Sequence, residues 1–474
     1  MAPGFRYIRM DMDELAYKHS DNQSDEWEKS LHKAAIYREV ASFIGKHRLG
    51  KPVELHKLIR GGYNIFYRLE YEDGASAALR IPCPGVKFPD KKVRYEVATM
   101  RYVAANTTIP VPEIYYWGTA EENPLGWGPL IIMEYVEHER TLSHKLQFLY
   151  RQMANILLQL STLSFSRIGS SVQNKEGQFS VSGRRLMQNM NSLFELTDAP
   201  ASLLPTHGFA TSNEWYNAMA DMHLLQLTFQ HNNAVDNEDD AYDKYVARQL
   251  FRKLASDGRL ASGFDPQTRE NREPIFRLFS EDLGPSNVLI DKDLRVVGVI
   301  DWEFAYAAPA EFSYDPPWWL LLKYPEYWPG GYEDWMGVYE PHFRTFISVL
   351  EEEENKLRVG DKIRDDPQGL SVSDNETWSL SRRMQRNWES KSWMIRYAAR
   401  NSWALDFLFW RYLDSRYFGE NQDADRHARL HLLSQHKIDA MEPFVKLKME
   451  QDKEKVLVRW SDEDVKAELS KVML

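Results

Sequence analysis

The hydrophobic pattern of the chain changes period near residue 138, and this change limits the folds open to it. Between residues 51 and 138, short apolar segments of β-strand character surround one helical segment, whereas amphipathic helical segments dominate afterwards. The pattern predicts an α+β fold with two lobes, a small antiparallel sheet followed by a larger, mainly helical lobe. A cleft normally lies between two such lobes, and ligands usually bind in clefts.

The first lobe is predicted to hold five strands and one helix. The strand-like segments are 51–59, 63–71, 75–81, 113–117 and 129–136. Gly61-Gly62 joins the first two, and Asp73-Gly74 is a strong tight-turn signal before the third. Because these three strands follow one another through short turns, we expect them to pair antiparallel. The helix is expected over 91–105, with Asp90 as its N-cap.

Helical segments flank this lobe on both sides. Residues 24–48 have helical periodicity, as do residues 141–160, and Thr211 with Glu214 forms a capping-box pattern at the start of a further helix. Two short apolar strands around Asp291–Asp293 interrupt the helical part with a hairpin. The expected organisation is an N-terminal helical extension over 1–50, an N-lobe over 51–138, and a C-lobe over 139–474 that ends in a helical tail.

Composition excludes several classes of partner. The 474 residues contain 59 Lys and Arg against 70 Asp and Glu, a net charge of −11, so nucleic acid and anionic membrane surfaces are not expected partners. The single cysteine, Cys83, excludes an internal disulfide and a cysteine-based zinc site. Neither a membrane-spanning run nor a secretory h-region is present. We expect a cytoplasmic protein, with mitochondrial import as the lesser alternative.

The segment that carries most chemical information runs from residue 279 to residue 303. Asp282 and Asn287 lie five apart on a turn before a strand, and Asp301 ends the next strand. If the two strands pair, Asn287 and Asp301 come close together and offer the oxygen ligands that Mg²⁺ prefers. Asp282 would then orient an acceptor hydroxyl, as phosphoryl transfer requires. The competing interpretation is an ordinary turn, since Asp and Asn favour turns.

The first lobe offers residues for the other half of such a site. The backbone at Gly61 and Gly62 could cover phosphates, although a Gly-Gly pair is more often only a hairpin turn. Arg80 is a cation among apolar neighbours on the third strand, and Glu96 on the following helix could pair with it. The alternative for Arg80 is an exposed position, since alternate strand residues face solvent.

Taken together, the chain resembles the aminoglycoside phosphotransferase family of the protein-kinase-like superfold, and especially its large fungal branch. The matching segments, in order, are IRGGYNIFYRL (59–69), RYEVATMRYV (94–103), TIPVPEIY (108–115), LIIMEYV (130–136), DLGPSNVLID (282–291) and VIDWE (299–303). The resemblance implies a kinase-like fold with a nucleotide-binding N-lobe. It further implies ATP and Mg²⁺ as cofactors and a small-molecule hydroxyl as the phosphoryl acceptor.

The resemblance also implies a role for each matching residue. Asp282 would be the catalytic base, and Asn287 and Asp301 would bind Mg²⁺. The implied nucleotide-binding positions are Gly61 and Gly62 in the phosphate-covering loop, Arg80 where the family has a lysine, Glu96 on the helix, Met133 as gatekeeper, and Glu134 and Val136, whose carbonyl and amide would reach adenine.

Two departures from the family pattern support an alternative function. Arg80 replaces a lysine, and guanidinium and ammonium groups differ in geometry. Ser280 stands where the family usually has a histidine, two residues before the aspartate. The alternative is a catalytically weak or inactive pseudokinase that serves as a binding or scaffold protein. An ordinary protein kinase is less favoured, because the sequence lacks the Gly-x-Gly-x-x-Gly, His-Arg-Asp and Asp-Phe-Gly motifs.

The acceptor is indicated only weakly. The aromatic run 315–322, with Tyr324 nearby, could form a wall of an acceptor pocket or could simply cap the core. Four acidic residues near the motifs would favour an amine-bearing, cationic acceptor if they faced the cleft; they are Glu281, Glu303, Glu311 and Asp315. The sequence does not predict an oligomeric state.

Overall fold

The structure is a computed structural model that describes residues 13–61, 63–84, 87–137, 140–141, 146–183, 187–197, 199–262, 276–363, 379–461 and 463–467. Its strands are β1 (Pro52–Leu55), β2 (Ile59–Arg60), β3 (Asn64–Tyr71), β4 (Ser76–Pro82), β5 (Ile114–Gly118), β6 (Leu130–Tyr135), β7 (Arg140–Thr141), β8 (Ser164–Phe165), β9 (Ser170–Gln173), β10 (Phe179–Gly183), β11 (Phe276–Ser280), β12 (Val288–Ile290), β13 (Val296–Val299) and β14 (Ala305–Pro309). Its helices are α1 (Glu14–Leu31), α2 (Ala34–His47), α3 (Pro89–Asn106), α4 (Leu146–Thr162), α5 (Gln188–Thr197), α6 (Ser212–Phe229), α7 (Glu238–Ser256), α8 (Arg259–Ser262), α9 (Gly331–Ile363), α10 (Leu380–Ser390), α11 (Trp393–Arg400), α12 (Ser402–Leu408), α13 (Asp414–Phe418) and α14 (Gln435–Glu454).

The N-lobe is built on an antiparallel sheet of order β1-β3-β4-β6-β5, with β2 also paired to β3. The sequence predicts β3 to β6 close to their observed positions. The segment 51–59 is not one strand, however. Leu55 pairs with Leu69 and Ile59 with Phe66, which leaves one residue more on this side than on β3. The extra residue interrupts the ladder and divides the segment into β1 and β2.

Helices cover both faces of this sheet. The outer face packs on α2, whose Val40 and Ile44 are fully buried, and the inner face packs on α3. The single helix predicted over 24–48 is instead two, α1 and α2, separated at His32–Lys33. Asp90 is not the N-cap of α3, because Pro89 already occupies the first turn and Phe88 takes the cap position. The Asp90 carboxylate accepts from the Ala120 amide at 2.6 Å instead.

The C-lobe is mainly helical and contains the predicted hairpin. Strands β12 and β13 pair antiparallel with Val288 opposite Val299, and β11 pairs with β14. The cap of α6 is confirmed, since Thr211 Oγ1 accepts from the Glu214 amide at 3.1 Å. The predicted α+β class, with an antiparallel sheet followed by a helical lobe, is therefore confirmed. Among the described residues, no helix combines the length and apolar composition that a membrane span needs.

The centre of the C-lobe holds a buried histidine. His223 of α6 is fully buried, its Nδ1 lies 2.8 Å from Ser402 Oγ, and its carbonyl accepts from Arg248 at 2.7 Å. Burial, with a smaller contribution from the Arg248 charge, lowers the pKa of His223 to about 3. The folded protein therefore keeps this imidazole neutral at pH values where the unfolded chain takes up a proton.

We expect His223 to make the folded state less stable in acid. Its contribution is fully present above about pH 6.5 and is lost as pH falls toward 3, at about 1.4 kcal/mol per pH unit, because only the unfolded chain binds the proton there. His223→Asn should reduce the slope of unfolding free energy against pH between 6.5 and 5, measured by urea unfolding. The exposed His207→Asn is the control. Equal slopes for wild type and His223→Asn would contradict this assignment.

Candidate active site

Two loops leave the same end of the β11–β14 pair. Ser280 of β11 lies opposite Ala305 of β14, so the loop after β11 and the loop before β14 run side by side. The Glu281 amide donates to the Phe304 carbonyl at 3.4 Å, and the Ile300 amide donates to the Asn287 carbonyl at 2.9 Å. These contacts bring the predicted residues of both loops to one place, at the boundary between the lobes.

The first loop holds Asp282 and Asn287. Asn287 is buried, and its amide Nδ2 donates to the Asp282 carbonyl at 2.8 Å and to Asp282 Oδ2 at 3.1 Å. The turn that contains Pro285 and Asn287 therefore sets the direction of the Asp282 carboxylate. Strand β12 begins directly after Asn287 and pairs with β13. The predicted hairpin therefore places Asn287 next to the end of β13.

The second loop holds Asp301 in a left-handed conformation, with φ of 61° and ψ of 54°. Such a conformation is uncommon for a residue other than glycine and needs support from its surroundings. Trp302 supplies part of that support: it is buried, and its indole Nε1 donates to the Val299 carbonyl at 2.9 Å. The conformation turns the Asp301 side chain toward the N-lobe, where Asp301 Oδ1 lies 2.8 Å from Arg80 Nη2.

Arg80 is not an exposed strand residue, because only 2% of its surface is accessible. Besides Asp301, its guanidinium contacts Glu96 of α3 and lies 3.3 Å from Glu303 Oε1. Burial opposes its charge, but the three carboxylates outweigh burial, so the pKa of the Arg80 guanidinium is raised. The predicted pairing of Arg80 with Glu96 is confirmed, and both loops of the C-lobe contribute to the same cluster as the N-lobe.

Lys92 is a member of this cluster that the sequence analysis did not identify. It is buried, its Nζ lies 3.4 Å from Glu303 Oε2, and the ring centroid of Phe304 lies 4.4 Å away. Lys92 and Glu96 are four residues apart on α3 and therefore share a helix face. The four-residue spacing of Lys92 and Glu96, on the helix that follows the strand of Arg80, could have indicated from the sequence that Lys92 belongs to the cluster.

The cluster holds three carboxylates, Glu96, Asp301 and Glu303, against two cations, Arg80 and Lys92. Burial raises the pKa of Glu96 to about 7 despite the adjacent guanidinium, and burial also raises the pKa of Asp301. Burial opposes the charge of Glu303 too, but Lys92 and Arg80 outweigh it and lower the pKa of that carboxyl. With all members ionised, one negative charge is left over, which a proton or a metal ion can compensate.

The donor set beside this excess charge fits Mg²⁺. Asp301 offers carboxylate oxygens and Asn287, in the adjacent loop, offers an amide oxygen, the hard ligands that Mg²⁺ takes from proteins alongside phosphate and water. The Asp301 carboxylate lies 2.8 Å from Arg80 Nη2, and the preceding residue, Ile300, donates its amide to the Asn287 carbonyl. The arrangement is the one that the spacing of Asp282, Asn287 and Asp301 predicts.

The remaining predicted residues lie in the N-lobe or directly after its last strand. Met133 is buried and lies opposite Ala78 in the sheet, while the Glu134 amide donates to the Glu113 carbonyl at 2.7 Å. Val136 follows β6 and approaches the C-lobe hairpin, since a Cβ added at Gly298 would meet its methyl groups at 3.4 Å. Gly61 donates to the Asn64 carbonyl at 2.7 Å, and Gly62 lies outside the described residues.

A cavity of about 120 Å³ lies on the other side of the first loop, bordered by Ser280, Glu281 and Leu283. Aromatic rings form much of its wall, among them Phe279, Phe312, Trp318, Tyr324, Trp388 and Trp393. Trp318 and Tyr324 stack with ring centroids 4.1 Å apart. The aromatic run 315–322 thus has both predicted roles, because Trp318 and Trp319 line the cavity and Trp319 is also part of the buried core.

The acidic residues near the motifs do not form an open acidic surface. Glu303 belongs to the buried cluster, Asp315 lies 2.6 Å from Arg396 and 3.2 Å from Arg400, and Glu281 accepts from the Tyr306 hydroxyl at 2.9 Å. Arg400 also lines the cavity and lies over the Phe279 ring at 4.8 Å. Glu303 and Asp315 therefore have cationic partners, whereas Glu281 accepts from a neutral hydroxyl and Glu311 is exposed.

Sequence comparison places the chain in a family. The sequence model of the phosphotransferase enzyme family, APH, matches residues 56–334, which is more than half of the chain. The chain belongs to this family. The match includes both loops and the whole charge cluster, and the predicted resemblance is thereby confirmed. Helices α1 and α2 lie before the matched region, and the helices after α9 lie beyond it.

Curated relatives are fungal proteins. A subtelomeric hrmA-associated cluster protein of Aspergillus fumigatus is 33% identical over 110 residues, which cover 23% of this chain and 21% of the relative. The mitochondrial protein named altered inheritance of mitochondria protein 9, of Yarrowia lipolytica, is 25% identical over 313 residues, 58% of this chain and 52% of the relative. The chain thus matches about a fifth of the first relative and half of the second.

Among solved structures, the chain has matches to a phosphotransferase and to a kinase, both with TM-scores below 0.5. A GDP complex of an aminoglycoside 2′-phosphotransferase variant is 12% identical with a TM-score of 0.41, covering 88% of this chain and 98% of that one. An ethanolamine kinase of Plasmodium vivax is 13% identical with a TM-score of 0.41, covering 92% of this chain and 94% of that one.

We expect Glu303 to be essential to the cluster's stability. Glu303→Gln should lower the free energy of unfolding by about 3 kcal/mol, because it leaves Lys92 buried without a carboxylate. Lys92→Met combined with Glu303→Gln should cost less than the sum of the two single substitutions, measured by urea unfolding. The exposed Glu311→Gln, with the same charge change, is the control. Additive single and double costs would show that Lys92 and Glu303 do not stabilise each other.

Proposed function

We propose that this member of the phosphotransferase enzyme family is an ATP- and Mg²⁺-dependent enzyme that phosphorylates a hydroxyl group of a small molecule. The observation that carries the proposal is the Asp282 carboxylate, oriented by Asn287 beside the loop of Asp301. In-line phosphoryl transfer needs a positioned carboxylate at the acceptor and charge compensation at the phosphates, and these two loops offer both.

Asp282 is proposed as the base that accepts the proton of the acceptor hydroxyl. Its Oδ2 accepts from Asn287 Nδ2 at 3.1 Å, a contact that fixes the direction of the carboxylate beside the loop of Asp301. Asn287 and Asp301 would hold Mg²⁺, which supplies charge neutralisation at the transferred phosphoryl group. The excess negative charge of the buried cluster supports a cation at Asp301.

Arg80 and Glu96 are proposed to complete the nucleotide site. In this position a lysine would offer one ammonium group, whereas the Arg80 guanidinium contacts Glu96, Asp301 and Glu303 at once. Gly61, Gly62, Met133, Glu134 and Val136 are assigned to the nucleotide by family resemblance. Their proposed contacts are the phosphates for the two glycines and the adenine for the other three.

A second candidate function is a binding protein without turnover. Arg80 Nη2 lies 2.8 Å from Asp301 Oδ1, on the proposed metal ligand itself, and Ser280 provides no imidazole beside the first loop. A nucleotide-binding protein with these features could act as a scaffold. The two functions differ in what Asp282 does, since a scaffold does not need its carboxylate.

The donor side is tested by thermal unfolding with and without Mg·ATP. At 100 times its dissociation constant the ligand should stabilise the wild type by about 2.7 kcal/mol. Asp301→Ala should abolish the Mg²⁺-dependent shift, while Asp293→Asn, an exposed carboxylate in the β12–β13 turn, should retain it. Absence of any shift in wild type over a wide ATP range would overturn the proposed nucleotide site.

Asp282→Asn separates the enzyme from the scaffold. The variant should keep the Mg·ATP shift and lose at least about 100-fold in turnover, because general-base catalysis typically contributes that much. Release of ADP and phosphorylation of an acceptor are the measurements. Turnover that survives the substitution, together with normal nucleotide binding, would argue against Asp282 as the base.

The aromatic cavity is proposed as the acceptor site. Its volume of about 120 Å³ is close to the roughly 150 Å³ apolar cavity that can admit a benzene molecule, so a single apolar ring or branched alkyl group fits it. Its wall is mostly aromatic and apolar, and the Asp315 carboxylate in it is already paired with Arg396 and Arg400. A neutral acceptor is therefore favoured over an amine-bearing one.

A matched pair of alcohols tests this acceptor preference. Choline and 3,3-dimethyl-1-butanol have similar shapes and differ in charge. The neutral alcohol should have the higher kcat/KM, by about tenfold, because burial of an ammonium group in a mostly apolar cavity costs desolvation free energy. Trp318→Ala should raise the KM of the neutral alcohol, whereas Trp328→Ala, outside the cavity wall, should not. Preference for choline would show that the cavity selects cations.

The proposed partners are the nucleotide and a small-molecule acceptor, with no nucleic acid or membrane lipid among them. The net charge of −11 supports this restriction, since the chain as a whole repels phosphate polymers. We propose a cytoplasmic location. The mitochondrion is the alternative, in keeping with the name of the Yarrowia relative.

A further inference from the structure

Arg60 connects the N-terminal helix to the turn that is proposed to cover the phosphates. It ends β2 directly before Gly61, and its guanidinium contacts carboxylates that all belong to α1. Arg60 Nη1 contacts Asp25 and lies 3.1 Å from Glu28, and Arg60 Nη2 lies 3.6 Å from Asp21. We call Arg60 and these carboxylates the α1 clamp.

The clamp is built into the shape of α1. Asp21, Asp25 and Glu28 are spaced four and three residues apart, so they share one helix face. Trp27 and Leu31, near the same end of α1, pack against the N-lobe core, and Leu31 is 2% exposed. The Arg60 side chain is only 24% exposed in these contacts. The helix is therefore seated on the N-lobe by both apolar and charged groups.

The other end of α1 is attached to the C-lobe. Asp13, the N-cap of α1, is buried, and its Oδ2 accepts from Asn232 Nδ2 at 2.7 Å and from the Asn232 amide at 3.3 Å. Asn232 lies between α6 and α7. With 18 residues, α1 is about 27 Å long. It therefore contacts the N-lobe through one end and the C-lobe through the other.

The turn after Arg60 depends on such support. Arg60 pairs with Ile65 across the β2–β3 hairpin, and Gly61 donates to the Asn64 carbonyl at 2.7 Å, so the Arg60 backbone is continuous with the turn. Glycines in a turn have high conformational freedom, and fixing them in one conformation costs entropy that neighbouring contacts must offset. A fixed Arg60 side chain removes part of that freedom before the nucleotide binds.

We propose that α1 is a positioning element of the nucleotide site: its carboxylates hold Arg60, and thereby hold the Gly61 turn in place over the phosphates. The attachment of Asp13 to Asn232 keeps the same helix fixed to the C-lobe, so the turn is held relative to the Asp282 and Asp301 loops as well. This role rests on the proposed nucleotide site and lies in a segment outside the family match.

Removal of the clamp charges tests the role kinetically. In full-length protein, the combined substitution Asp21→Asn, Asp25→Asn and Glu28→Gln should raise the KM for ATP about fivefold, in line with the modest strength of partly exposed ion pairs, and should change kcat less. The control is Glu26→Gln, which removes one carboxylate from the exposed side of α1 and should leave both constants unchanged. Arg60→Gln should raise the KM for ATP as the triple variant does, and Arg60→Lys, which keeps the positive charge, should raise it less.

Hydrogen exchange provides a second measurement that needs no nucleotide. The amides of residues 59–66 should exchange faster in the triple variant and in Arg60→Gln than in wild type and Glu26→Gln, while the amides of α3 stay protected. Unchanged exchange at the turn and an unchanged KM would overturn the clamp. Faster exchange in a protein whose wild type binds no Mg·ATP would support the clamp and overturn the proposed nucleotide site, so the two failures are distinct.

Discussion

The buried contact between Arg80 and its three carboxylates is the interaction on which the rest of the site depends. Glu96 belongs to the N-lobe helix, whereas Asp301 and Glu303 belong to a loop of the C-lobe, and one guanidinium joins them. A charge buried this deeply is tolerated only when it is paired, and removal of one partner leaves the others uncompensated. The Arg80 side chain therefore holds N-lobe and C-lobe residues of the site together, and Lys92 adds a second contact of this kind through Glu303.

Arginine stands at position 80 where the family pattern has a lysine, and the shape of its side chain explains why it suits this position. A lysine ammonium is a compact point charge, whereas the planar guanidinium can contact carboxylates on several sides at once. Lys92 of α3 pairs with Glu303, and the Phe304 ring packs against the Lys92 ammonium group. The cluster has two cations from two N-lobe elements against three carboxylates, and with all of them ionised a proton or a divalent cation can compensate the one negative charge in excess.

Much of the fold and of the site could be predicted because its determinants are local. The hairpin of β12 and β13 follows from two apolar segments around an Asp-rich turn, and its register alone brings Asn287 near Asp301. The predictions that were wrong concern the exact ends of helices and strands, which depend on neighbouring residues. Asp90 lost the cap position because Pro89 begins the helix one residue earlier, and the strand 51–59 divided because one extra residue faces β3.

The sequence by itself determined the α+β plan, the family, and the positions of Asp282, Asn287 and Asp301, because periodicity and motif spacing act over short stretches of chain. Only the tertiary structure decided which charges meet. Arg80 and Glu303 are 223 residues apart, and Arg60 and Asp25 are 35 apart. An ion pair forms wherever the packed helices and strands bring opposite charges within reach. Those distances depend on tertiary packing and cannot be derived from the sequence alone.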